Sequence, residues 1–133
     1  MITRKPPNAL IKAKFVVENK IKLENLNEPK LIFSDNALEG AKAFPANVNV
    51  AAAVGLAGVG AKKTQLEIWA DPGLNKNTHT ILVKSDSSNF KIEIENIQSE
   101  ENPGTGKITA LSVVASLRGL ISSLKVGLSL IHI

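Results

Sequence analysis

Proton transfer is the chemistry for which this sequence is best equipped, and His79 is the residue that would carry it. An imidazole has a pKa of about 6.5, so it can gain and lose a proton close to neutral pH. His79 begins an alternating segment and shares one face with Ile81 and Val83. Two interpretations are open: a packed, hydrogen-bonded histidine at the end of a strand, or a general acid–base at the mouth of a cleft.

Amide and cationic side chains elsewhere form a second set of candidates for ligand binding. Asn47 and Asn49 stand where a segment of small residues begins, so they can cap a helix or bind a ligand through their amides. Arg4, Lys5 and Lys76 are cations that could pair with a carboxylate or could be solvated surface charges.

Composition and charge exclude several other kinds of site. The absence of cysteine rules out disulfides, thiolate zinc sites and a cysteine nucleophile. The other histidine, His132, lies in an apolar tail, and no carboxylate is spaced to complete a metal site with His79. The net charge of +4 comes from 16 basic and 12 acidic residues that are scattered and accompanied by few aromatic residues, so nucleic acid is not an expected partner.

The chain also lacks the patterns that direct a protein to or into a membrane. Its first ten residues have no apolar core of the kind found in signal peptides. No segment reaches the roughly 18 consecutive apolar residues of a membrane-spanning helix. We therefore expect a cytoplasmic protein with no membrane partner.

Two glycine clusters resemble nucleotide-binding motifs only in part. The run Gly55–Gly60 has the dinucleotide fingerprint in reverse order, and it follows a predicted helix instead of a strand. The run Gly104–Lys107 lacks the earlier glycine of a P-loop, because Glu101 stands there, and Ile108 replaces the hydroxyl residue. Neither cluster predicts a diphosphate site, and only unspecific anion binding before the last helix stays open.

The first third of the chain predicts strands in some segments and gives no clear pattern in others. Residues 2–5 predict a short strand that is stopped by two prolines. Residues 8–29 give no clear pattern, although residues 15–17 favour a strand. Lys30–Phe33 predicts a short buried strand.

Two helices are expected next. Either Ser34 or Asp35 would cap the first, over Asn36–Phe44, through its side-chain oxygen. The second is predicted over about Asn47–Leu56, and the glycines that follow are suited to end it.

The remainder predicts three strands in succession and one long helix. The last strand places charged residues on one face and apolar residues on the other, which is typical of an antiparallel sheet. The order of elements predicts an α+β fold in which helices pack on one face of a mixed, largely antiparallel sheet. The expected segments are strands over Thr64–Ala70, Thr78–Lys84 and Asn89–Ile97 and a helix over about Lys107–Leu124.

Blocks of sequence along nearly the whole chain resemble the L-aspartate dehydrogenase family. They keep the family's order and approximate spacing, and they are specific together although each is weak alone. Residues 8–29 match less well. The blocks are TRKPP (residues 3–7), AKAFPANVNVAAAVGLAGVG (residues 41–60), KKTQLEIWADPGLNKNTHTI (residues 62–81) and FKIEIENIQSEENPGTGKITALSVVASLR (residues 90–118).

The resemblance implies an oxidoreductase that converts L-aspartate to iminoaspartate, or to oxaloacetate after hydrolysis, with NAD or NADP. The iminoaspartate would serve NAD biosynthesis. The resemblance also implies that His79 is the acid–base residue and that Asn49, with Asn47 as the alternative, binds the nicotinamide. The candidates for holding the dicarboxylate substrate are Arg4, Lys5 and Thr78.

The resemblance further implies a domain arrangement that this sequence does not match in full. Enzymes of the family begin with a Rossmann dinucleotide-binding domain, which we do not find in residues 1–133. We therefore predict one substrate-binding, catalytic and dimerisation domain that is inactive alone and forms a homodimer. Two alternatives stay open: a non-enzymatic dimerising remnant, or one subunit of a split dehydrogenase whose Rossmann half is a separate chain.

Overall fold

The computed structural model describes residues 1–45, 48–97 and 106–121 of the chain. It divides into two compact units, Met1–Glu95 and Asn96–Ile133, which are described separately below. The first unit contains the sheet and most of the helices, and it carries every sequence-predicted site residue that the structure describes.

A five-stranded mixed sheet forms the first unit. In spatial order its strands run β2-β3-β1-β4-β5. Strands β1 and β3 are parallel, and the other neighbouring pairs are antiparallel. The prediction of a mixed, largely antiparallel sheet is therefore confirmed. The strands are β1 (Ile2–Lys5), β2 (Lys30–Asn36), β3 (Gln65–Ala70), β4 (Thr78–Lys84) and β5 (Asn89–Glu95).

Short helices in the first unit cover one face of this sheet. A 3₁₀ turn over Pro7–Ala9 precedes them. We refer to the sheet face that bears the apolar side chains of β3 as the covered face and to the opposite one as the open face. The helices are α1 (Lys14–Glu18), α2 (Ala37–Ala43) and α3 (Asn49–Ala57).

Strand alternation builds the hydrophobic core on the covered face. Leu66, Ile68 and Ala70 of β3 are fully buried, as their spacing predicts, while the residues between them are not. Burying a leucine or isoleucine side chain contributes about 1.5–3 kcal/mol. Phe15 of α1 and Phe44 at the end of α2 pack with their ring centroids 5.2 Å apart and tie both helices to this core.

The structure overturns two sequence-based expectations in the first third of the chain. Residues 15–17 lie in helix α1 and not in a strand, because the segment contributes one buried side chain, Val16, and leaves Val17 exposed. Strand β2 is longer and less buried than Lys30–Phe33 predicts. It lies at an edge of the sheet, and Leu31 is exposed.

The predicted helix cap is also wrong. Neither Ser34 nor Asp35 caps α2, because both still pair with β3 in the sheet. The cap is Asn36, whose side-chain Oδ1 accepts a hydrogen bond of 3.0 Å from the backbone N–H of Glu39. Helix α2 therefore begins only after Asn36, the last residue of β2 that pairs with β3.

Glycines allow the close packing and the ending of these helices. A Cβ atom on Gly40 would lie 2.4 Å from Leu66 Cδ2, so a larger residue at this position would require the Leu66 side chain to shift. Helix α3 ends at Gly58, and Gly60 then adopts φ +89°, the left-handed region that glycine favours. The predicted glycine stop is confirmed.

The second unit contains helix α4 (Lys107–Ile121) within its described residues. The predicted helix is confirmed over that range, and residues 122–124 of the prediction lie outside the described residues. Gly106 precedes the helix, where a Cβ would lie 2.0 Å from Oδ1 of Asn96. Residues 98–105 and the apolar tail also lie outside the described residues.

Candidate functional site

Strand pairing brings His79 beside β1 on the covered face of the sheet. In the register, Thr3 of β1 lies between Ile68 of β3 and His79 of β4. Ile94 of β5 flanks His79 on its other side. His79 thus stands between the polar Thr3 and the apolar Ile94 in a cross-strand row and is 8% exposed.

One nitrogen of His79 is held by a neighbouring hydroxyl. Nδ1 of the ring and Oγ1 of Thr3 are hydrogen-bonded at 3.1 Å, and Thr3 itself is 3% exposed. Within the described residues, every fully buried side-chain nitrogen or oxygen has a hydrogen-bond partner. Nε2 of His79 makes no hydrogen bond in this part of the chain. Nε2 must therefore reach the surface through the small exposed part of the residue.

The electrostatic surroundings favour a neutral His79. Burial lowers the pKa of the imidazole below its usual value of 6.5, and the nearby Lys5 charge lowers it further. Burial also lowers the pKa of Lys5, which is 6% exposed and lies two residues from Thr3 on the same strand face. At neutral pH His79 is therefore mainly uncharged, the form that can accept a proton.

The sheet separates the predicted site residues into two groups. Thr3, Lys5 and His79 point to the covered face, whereas Arg4 and Thr78 point to the open face, where the register places them side by side. The structure thus brings Lys5 to His79 but does not bring Arg4 or the Thr78 side chain there. The ligand-binding roles of all these residues remain predictions.

The cations on the open face already have partners. Nη1 of Arg4 lies 3.2 Å from Oδ2 of Asp71, and its guanidinium lies 5.6 Å from the centre of the Trp69 ring. Lys76 forms an ion pair with Glu95. These contacts hold the turn after β3 and the edge of the sheet, so they favour a structural role for both cations.

An open groove runs along this second face. It encloses about 500 Å³, and its lining includes the side chains of Arg4, Thr78 and Glu93. His79 and Ile94 also line the groove, although their side chains point to the covered face. The groove therefore has mixed charge.

Of the two asparagines, the structure describes only Asn49. It is the first residue of α3 and is exposed, so its amide is available to a ligand. Val48 occupies the cap position and makes no side-chain cap hydrogen bond. Asn47 lies outside the described residues.

The described residues do not fit a dinucleotide diphosphate. Gly55–Gly60 lies at the C-terminal end of α3, the negative end of the helix dipole, where a phosphate group is repelled. Within the described ranges, no three potential metal ligands lie together, and no helix is long and apolar enough to cross a membrane.

Sequence reasoning missed Thr3 as a site residue. Thr3 and His79 are 76 positions apart, and only the antiparallel pairing of β1 with β4 brings them together. The alternation that places Thr3 on the same face as Lys5 was the one signal available in the sequence.

Fold and site together define a class of protein: an α+β domain that carries a buried, neutral histidine on the covered face of a mixed sheet. The sequence of this domain matches a family model described as "Aspartate dehydrogenase, C-terminal" over residues 1–120. The chain belongs to this family and corresponds to its C-terminal domain.

Individual relatives agree with this assignment. The chain is 53% identical over 127 residues to an L-aspartate dehydrogenase from Bradyrhizobium diazoefficiens, covering 96% of this chain and 45% of the relative. It is 50% identical over 127 residues to L-aspartate dehydrogenase 3 from Bordetella bronchiseptica, covering 96% and 46% respectively. The chain thus spans about half the length of these relatives.

A solved structure has the same fold. The crystal structure of aspartate dehydrogenase from Thermotoga maritima matches with a TM-score of 0.71 and 30% sequence identity. The match covers 95% of this chain and 45% of that one, which again corresponds to one part of a longer protein.

Proposed function

We propose that this chain forms the substrate-binding and proton-transfer part of an NAD(P)-dependent L-aspartate dehydrogenase. The observation that carries the proposal is the buried His79, whose lowered pKa keeps the imidazole ready to accept a proton. The names of the relatives supply the substrate, L-aspartate. The product, iminoaspartate or oxaloacetate after hydrolysis, would enter NAD biosynthesis.

The proposed reaction divides the work between the cofactor and this chain. NAD or NADP would supply the acceptor for the hydride that leaves Cα of L-aspartate. The amino nitrogen must lose a proton as the C=N bond forms, and His79 accepts that proton at Nε2. Lys5 stands on the same face and can pair with a substrate carboxylate, which would in turn stabilise its own charge.

Only one end of the cofactor suits the residues described here. The exposed Asn49 amide can bind the nicotinamide carboxamide, and Asn47 is the alternative. The glycine run after α3 has the wrong helix end for the diphosphate. We therefore propose that a Rossmann domain outside these 133 residues binds the rest of the dinucleotide, in the same polypeptide or as a separate subunit.

A chimera with the N-terminal half of the Bradyrhizobium relative tests this function. We expect it to reduce NAD or NADP in the presence of L-aspartate, and we expect His79→Gln to lower kcat by about a hundredfold or more, because general base catalysis is lost. Thr80→Val is the matched control, since Thr80 lies on β4 but on the open face, and it should leave kcat nearly unchanged.

Two results would contradict the proposal in different ways. A folded chimera that binds NADH but shows no L-aspartate-dependent turnover would favour a non-enzymatic, dimerising role for this domain. Full turnover by the His79→Gln variant would remove His79 from the catalytic machinery.

A further inference from the structure

A buried histidine that transfers protons needs a partner to fix its ring. The two nitrogens of an imidazole are distinct, and the hydrogen bond made by one decides which proton the other carries. In many sites that partner is a carboxylate, whose charge raises the histidine pKa. Here the group on Nδ1 is the neutral hydroxyl of Thr3, at 3.1 Å.

A hydroxyl can serve every protonation state of the ring. It donates to Nδ1 when that nitrogen has a lone pair, and it accepts when Nδ1 carries a proton. When Nε2 takes up a proton from a substrate, both ring nitrogens are protonated, so Nδ1 then needs an acceptor. Thr3 Oγ1 has lone pairs for this purpose and is 3% exposed, so water competes little for them.

Within the described residues, His79 makes no side-chain hydrogen bond other than the one to Thr3. The neighbours of His79 in the cross-strand row other than Thr3 are apolar, with Ile94 on the β5 side. The charged group that influences the ring is Lys5, which is a cation and opposes protonation. Thr3 is thus the group in the described site that can stabilise an imidazolium.

We propose that Thr3 is the positioning residue of His79: its hydroxyl holds the ring through Nδ1, accepts the Nδ1 proton in the reactive forms, and makes Nε2 the atom that exchanges a proton with the substrate. The part that concerns the substrate rests on the function proposed above. The hydrogen bond and its effect on the ring do not, and they can be measured in this chain alone.

Nuclear magnetic resonance of the ¹⁵N-labelled His79 ring tests the proposal directly. Thr3→Val has nearly the shape of threonine but removes the hydroxyl. We expect it to weaken proton binding by His79 about fivefold, because a hydrogen bond to the charged ring is stronger than one to the neutral ring. We also expect the Nδ1 resonance of the variant to move.

Three companion variants make the result decisive. Thr3→Ser keeps the hydroxyl and should restore both the Nδ1 resonance and proton binding, whereas Thr3→Ala should behave like Thr3→Val. Thr80→Val makes the same change on the open face and should alter neither quantity. Thermal unfolding of each variant provides the check on folding, and Thr3→Ala replaces Thr3→Val if valine prevents folding.

The outcome separates this proposal from the proposed function. An unchanged Nδ1 resonance and unchanged proton affinity in folded Thr3→Val or Thr3→Ala would overturn the positioning role. In the chimera, we expect Thr3→Val to lower kcat about tenfold and to leave KM within about twofold. If the ring responds as expected but kcat does not, Thr3 still positions the ring of His79, and the part of this proposal that concerns proton exchange with the substrate is overturned.

Discussion

At the scale of single residues, neighbouring positions of strand β1 have different surroundings, because alternate side chains point to opposite faces of the sheet. Thr3 and Lys5 alternate with Arg4 on β1, so the first two face the imidazole and the third faces Asp71. A cation next to a buried histidine keeps it neutral, and a hydroxyl orients it without adding charge. The site therefore combines a weak base with a fixed geometry.

The lowered pKa of His79 makes stability depend on pH. The folded pKa lies below the unfolded value of about 6.5, so the unfolded chain binds more protons in this range and stability is lost as the pH falls through it. We expect the free energy of unfolding to fall below about pH 6.5, by at most about 1.4 kcal/mol per pH unit for this one group.

Urea unfolding between pH 5 and 8 measures this dependence. His79→Gln should flatten the slope in that range, because glutamine does not titrate. An equal slope in the wild type and in the His79→Gln variant would show that other groups are responsible.

At the scale of elements, the transition from β2 to α2 depends on one cap. The strand continues through Asn36, whose side chain then satisfies the N–H of Glu39. Helix α2 carries Gly40 against Leu66 and ends at Phe44, so the placement of the cap also determines how the helix meets the core.

We expect Asn36→Ala to lower the free energy of unfolding by about 1 kcal/mol, because the cap hydrogen bond is lost. Asn36→Asp keeps an acceptor and should retain most of the stability. Ser34→Ala is the matched control, since the exposed Ser34 is not the cap. Chemical denaturation measures all three, and an equal loss in Ser34→Ala and Asn36→Ala would contradict the assigned cap.

At the scale of the whole molecule, strand β5 leaves apolar side chains on the surface. Phe90 and Ile92 are 48% and 45% exposed, although they lie on the same sheet face as the buried His79. The opposite face of β5 carries Lys91 and Glu93, which form an ion pair. An apolar strip beside an edge strand fits a second copy of the chain, because a two-fold interface pairs a patch with itself.

We therefore expect a homodimer in which β5 contributes to the interface. Sedimentation velocity should give twice the mass of one chain at micromolar concentration. Ile92→Lys should shift the protein toward monomer, whereas Glu93→Lys places a similar charge on the opposite face and should not. A wild-type monomer at all concentrations, or a dimer insensitive to Ile92→Lys, would contradict this expectation.

The sequence by itself determined the fold class, the bounds of β4 and the identity of the family. Local alternation sufficed for β4 and the fold class, because it depends on neighbouring residues along one strand or helix. The family was identified by the resemblance of whole blocks of sequence. Residues 15–17 and the cap of α2 were misjudged, because each depends on what packs or pairs against them from elsewhere in the chain.

The chemistry around His79 was decided only by the tertiary structure. His79 could be singled out by its residue type, and Lys5 by its charge, but no local pattern relates either of them to Thr3. The pairing of β1 with β4 brings together residues 76 positions apart, and the pleat then directs Thr3 and Lys5 toward the ring and Arg4 away from it. Burial by the same fold lowers the pKa of the imidazole, an effect that depends on surroundings assembled from distant segments.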